Sequence, residues 1–144
     1  MKLRPLLAAL CLALTTGIAS AHHSFAMFDS DHQLLLTGKV TEFTWQNPHV
    51  YIHLEATDAK GKTSVWTIEC ANPGILNRIG WKFNMIKKDD KLAIVVAPLR
   101  TGESGALLKQ IKLPDGRVMG NGGPAGTPNI SIEDGKPLAA GAPK

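Results

Sequence analysis

The chain has 144 residues, a formal net charge of +4 and two cysteines. A single domain is the expectation at this length. So mild a positive charge gives little electrostatic drive toward nucleic acid, and no segment approaches the roughly 20 apolar residues of a membrane-spanning helix.

The chain opens with a leader. Lys2 and Arg4 precede an apolar run from Leu6 to Leu14, and the segment closes on Ala19-Ser20-Ala21. A basic start, a short apolar core and an A-x-A end are the order of a secretory signal peptide, here residues 1–21. Cys11 follows Leu10 in mid-run, which does not fit lipoprotein processing. Export to the periplasm, or secretion, is the expectation. Loss of the leader removes Lys2, Arg4 and Cys11, lowering the formal charge from +4 to +2 and leaving Cys70 without a disulfide partner in the chain. The mature protein then begins His22-His23-Ser24, at the head of an N-terminal arm over residues 22–32.

The folded part is expected over residues 33–113. Leu34 to Trp45 is rich in β-formers, with Gly38 suggesting a bulge or bend. Gln46-Asn47-Pro48 reads as a turn. From His49 to Thr57 the residues alternate, with Val50, Ile52, Leu54 and Ala56 on one face and His49, Tyr51, His53 and Glu55 on the other. That is the period of a half-buried strand. Asp58 to Gly61 supplies a hairpin turn, and Lys62 to Cys70 a third strand with Trp66, Ile68 and Cys70 on one face. Asn72-Pro73 is a helix start, Ile75, Leu76 and Ile79 have helical spacing, and Gly80 can end the helix. Trp81 and Phe83 are expected to pack after it. Two more strands follow, Lys91 to Ala97 and Gly105 to Leu113.

Three strands, a short helix and two strands give the order of an all-β OB-like barrel, a five-stranded Greek key. A small β-sandwich is the alternative. Residues 114–144 differ in kind: their 7 glycines and 5 prolines leave few large apolar groups, so a disordered or loosely attached tail is expected.

Certain residues of the folded part occur together in a recognisable pattern: His22-His23-Ser24-Phe25, Gly38-x-Val40, Trp45-x-Asn47-Pro48-His49, Trp66, Gly80-Trp81 and Pro98-x-Arg100-x-Gly102. The pattern resembles a family of small exported bacterial proteins, the domain-of-unknown-function family 6152, over His22 to Arg117. The resemblance implies export and a small β-rich fold. It implies no activity, ligand or catalytic residue.

The residues with coordination chemistry are histidines. An N-terminal His22 can chelate a metal through its amine and imidazole, and His23 offers a second ring. Such donors suit copper and zinc, with copper(II) the tighter. His49 is the expected barrel partner, because Pro48 puts it at a strand end. His53 is four residues further along the strand, roughly 13 Å away at about 3.4 Å per residue, so the two cannot easily share an ion. His32 is a weaker candidate. Tyr51, outward between His49 and His53, is the expected ligand contact. Cys70 is on the apolar face, which suits a buried inert thiol. The H-x-x-x-H spacing of His49 and His53 is not a zincin motif, since Val50 stands where glutamate is needed. No nucleophile, base and oxyanion group assemble, so no enzyme is expected. These readings point to a periplasmic binding module that holds copper or another divalent ion. A metal-free module that docks a protein or envelope component is the alternative.

Overall fold

A computed structural model of the chain describes residues 25–57, 61–123 and 126–138. The leader, His22, His23 and residues 58–60 of the turn expected at Asp58 to Gly61 lie outside the described residues.

Strands β1 (Leu34–Thr44), β2 (Tyr51–Thr57) and β3 (Thr63–Glu69) form an antiparallel meander. Helix α1 (Pro73–Arg78) follows, then β4 (Lys91–Pro98) and β5 (Gly105–Lys112). β4 pairs antiparallel with β1 and with β5, and β5 meets β3 in parallel. The ring β1-β2-β3-β5-β4 is therefore closed, with the helix between β3 and β4. That is the OB-fold barrel. Two packed sheets would leave β3 and β5 unpaired, so the sandwich is excluded. The closing seam consists of Thr67 with Gly105, Ile68 with Ala106 and Glu69 with Leu107.

The alternation in β2 explains the wall. Ile52, Leu54 and Ala56 are buried, Tyr51 and His53 are half-buried, and Glu55 is exposed. A slip of one residue would turn the apolar set to solvent, so register is strongly fixed. Gly38 serves close approach: a Cβ there would strike the Glu55 carbonyl oxygen. The expected bulge falls a little later, between Val40 and Glu42. In β4 the apolar run is explained by cover on both faces. Leu92, Ile94 and Val96 join the barrel core, while Ala97 packs with Phe28 and Leu107 under the N-terminal arm.

The helix start is as expected. The Asn72 side chain accepts from the Ile75 N–H at 2.9 Å, Pro73 opens the helix, and Gly80, at φ +95°, follows its last turn. Leu76 is buried in the barrel core. Trp81 is fully buried, and its Nε1–H donates to the Gly120 carbonyl at 3.0 Å. Phe83 does not pack: it is 69% exposed. The chain turns tightly after Trp81, and Trp81 and Ile86 take the inward positions.

The fold does not end at Leu113. β6 (Val118–Gly120) pairs antiparallel with β5, and Asn121 and Ile132 are buried. The Gln33 side chain donates to the Thr127 carbonyl and accepts from the Asn129 N–H. Asn129 Nδ2 in turn donates to the carbonyls of Ser30 and Asp31. Composition hid this attachment because amide hydrogen bonds supply much of it.

Candidate functional site

The arm crosses the outside of the seam. A 3-10 turn at Phe25–Met27 leads into Phe28, which bridges Leu99. The Asp29 N–H donates to the Pro98 carbonyl, and Arg100 donates its N–H to Met27 and its Nε–H to Ala26. His32 and Arg100 also flank the Asp29 carboxylate, at 3.0 and 3.5 Å. The hydrogen bond from His32, aided by the Arg100 charge, holds the Asp29 carboxyl below the usual carboxylate range.

His49 stands just before β2. Its Nδ1 lies 2.9 Å from the Cys70 carbonyl oxygen and 3.5 Å from Glu69 Oε1. A carbonyl can only accept, so Nδ1 carries a proton, and in the neutral ring the lone pair is on Nε2. Glu69 is opposite Tyr51 in the β2–β3 ladder. Burial first, then the Glu69 charge, pushes the Tyr51 hydroxyl above its ordinary value. The His49 and Glu69 side chains are 17% and 19% exposed, which puts both in a partly dry setting.

They line a cavity of about 280 Å³ at the barrel mouth, with Phe25, Ile75, Leu107 and Asn121 among the other walls. Gly122, at φ +73°, lets the chain pass: a Cβ there would come within 2.8 Å of Ile75 Cγ2. Asn121 Oδ1 accepts from the Ala71 N–H at 2.7 Å, fixing the loop whose Cys70 carbonyl orients His49. Cys70 is fully buried, and burial, then the Glu69 charge, drives its thiol far above the usual value. The inert thiol expected of it is consistent with that setting.

The described candidate histidines stand at three different places, in keeping with the strand spacing that sets His53 apart from His49. His49 is at the cavity. His53 Nδ1 is 3.3 Å from Thr67 Oγ1, further along the β2–β3 face, and does not line the cavity. His32 is on the arm with Asp29, 84% exposed. Tyr51 lines a neighbouring groove of about 160 Å³ with Met27, Leu99 and Glu69. His22 and His23 lie outside the described residues. Among the described residues no three His, Cys, Asp or Glu side chains form a group that could hold a metal. No described helix is long and apolar enough to cross a membrane.

Glu69, Asn121 and Phe25 were not singled out as site residues from the sequence. Glu69 had a partial signal, since its strand phase is opposite that of buried Ile68. Its partner Tyr51 required the register. Asn121 carried no signal, being in a glycine-rich stretch 50 residues from Ala71.

A closed five-stranded ring with a small cavity at one mouth defines an OB-fold protein. The chain belongs to the family described as "Family of unknown function (DUF6152)", whose model matches residues 9–109, most of its length. No curated protein matches it. Among solved structures it is similar to the mitochondrial single-stranded DNA-binding protein Rim1 of S. cerevisiae, in two crystal structures, one of them of selenomethionine-labelled protein. Identities are 16% and 14%, with TM-scores of 0.41 and 0.42, over 58% of this chain and 94% of each of those. The barrel assignment rests on the strand pairing, and nothing about a ligand passes from those proteins to this one.

Proposed function

We propose that the protein is an exported, non-enzymatic binding module of the periplasm that holds copper(II), or zinc, where its N-terminal histidines meet the barrel mouth. The observation that carries this reading is that Phe25 lines the same cavity as His49 and Glu69. Phe25 follows His23 by two residues and His22 by three. An extended chain spans at most about 7 and 11 Å over those steps, so chain length permits either histidine to reach that wall. His49 donates Nδ1–H to a backbone carbonyl, the usual arrangement for a histidine that ligates through Nε2. Glu69 adds a carboxylate. With the His22 amine and ring and the His23 ring, the donors suit copper(II) first and zinc second. Protons compete for all of them, so affinity rises with pH.

Calorimetric titration of protein beginning at His22 tests the proposal, with mass spectrometry of exported protein fixing the start. Copper(II) should bind stoichiometrically and more tightly than zinc(II). An alanine placed before His22, or His49→Ala, should weaken binding by about tenfold or more. Equal affinity in all three proteins sinks the reading.

The metal-free alternative has its own support. Phe25 and Met27 are 53% and 54% exposed on the arm, and apolar side chains set close together suit a docking surface. Paired Phe25→Ser and Met27→Ser replacements should abolish a specific periplasmic cross-link. An unchanged cross-linking pattern counts against that reading.

A further inference from the structure

We infer that the surface from Arg78 to Lys88, which the metal reading does not use, is a docking face for a bilayer of anionic phospholipid. From Ala71 to Lys88 the chain carries no aspartate or glutamate, while Arg78, Lys82, Lys87 and Lys88 supply four positive charges. All four are exposed, and among the described residues no ion pair engages them. Ile79 and Phe83 lie in the same stretch, 43% and 69% exposed. A lone exposed phenylalanine is ordinary. Exposed apolar groups set among cations, with no acid between them, fit a surface that offers both negative charge and hydrocarbon.

The backbone holds Phe83 outward. The Met85 N–H donates to the Lys82 carbonyl at 3.2 Å, so Phe83 and Asn84 are the two central residues of a turn. Trp81 and Ile86, on either side of it, are buried in the barrel core and anchor it from both ends. A second turn is closed from the Asp90 N–H to the Lys87 carbonyl at 3.2 Å, with Lys88 and Asp89 at its centre. The Asp89 N–H donates to the Val40 carbonyl at 2.8 Å, which stitches this turn to β1. The stretch thus meets solvent at two fixed tips, one aromatic and one bearing Lys88. Fixed tips lose little conformational freedom on docking. The acids that end the stretch are engaged: Asp89 pairs with Lys39 at 3.6 Å, and Asp90 Oδ2 accepts from the Lys87 N–H at 2.8 Å. A bilayer meets the cations and both apolar groups at once, which a soluble polyanion does not.

Co-sedimentation with lipid vesicles, using protein that begins at His22 in excess EDTA, tests the assignment. Vesicles of phosphatidylcholine with about a third phosphatidylglycerol should bind at least about tenfold more tightly than pure phosphatidylcholine, since each cation near an anionic surface contributes about fivefold. Added salt should release the protein as the Debye length shortens. Joint Lys87→Gln and Lys88→Gln replacement should weaken binding about 30-fold. Phe83→Ser, at a site too exposed to carry the fold, should weaken it about tenfold. Phe83→Trp should keep the affinity and gain fluorescence quenching by lipid brominated on its acyl chains. Equal binding to the two vesicle types overturns the assignment, as does unchanged binding in the Phe83→Ser protein. Tighter binding to single-stranded DNA than to the anionic vesicles overturns it as well, and gives the face to a soluble polyanion.

Discussion

The barrel interior around Val40, Ile52, Leu54 and Ile94 is held by fully buried apolar side chains, whereas arm and tail hold each other at the rim through hydrogen bonds among Ser30, Gln33, Thr127 and Asn129. Burial removes apolar area from water at roughly 25 cal/mol per Å². Hydrogen bonds exchanged with solvent return about 0.5–1.5 kcal/mol each. The wall should therefore resist opening as a unit, while the rim should open locally well below the global unfolding energy.

The largest effect should come from the interior. Trp81→Ala empties a fully buried site and removes the indole donor from the Gly120 carbonyl, and should cost about 3–5 kcal/mol in urea denaturation. Asn121→Ala tests the boundary between the regions. It leaves the Ala71 N–H without its acceptor and should cost about 1–3 kcal/mol. It should also loosen His49, read as a shifted ring signal by NMR. At the rim, Asn129→Ala should cost about 0.5–1.5 kcal/mol or less and raise amide exchange at Ser30 to Gln33 while leaving β2 protected. Equal acceleration in β2 would mean that rim and wall are one cooperative unit.

The smallest effect is pH-dependent. The Asp29 carboxyl titrates lower in the folded protein than in the unfolded chain. Its contribution is thus complete above the unfolded value of about 3.9 and is lost as pH falls through the depressed folded value. Arm amides near Asp29 should begin to exchange faster in that acid range, and Asp29→Asn should erase the step. A step of the same size in the Asn protein would assign it to another group.

What the sequence made readable follows the same division. The alternation of Val50, Ile52, Leu54 and Ala56 is local, so β2 could be placed without knowing its partners. The helix start at Asn72-Pro73 is equally local, as is the glycine after its end. Barrel order followed from these elements in sequence. The clasp from Gln33 to Thr127 spans 94 residues and uses amides that look the same in any loop. Its glycines and prolines suggested looseness, yet positive-φ positions such as Gly122 and Gly135 shape the turns that bring this stretch back. At the site, His49 was readable from Pro48 and strand phase. Glu69 was not, because its place beside His49 depends on how β3 is registered against the chain before β2.

The seam between β3 and β5 carries a consequence for anything held at the mouth. Its last rung pairs Glu69 with Leu107, and both side chains also form the cavity wall. An occupant touching both strands fastens the barrel shut, like a clasp at the end of a short zip. Because it meets its full set of contacts only in the closed ring, its binding energy adds to the ring's stability by mass action. Amide exchange along Thr67 to Glu69 then becomes a gauge of occupancy, readable before the occupant itself is known.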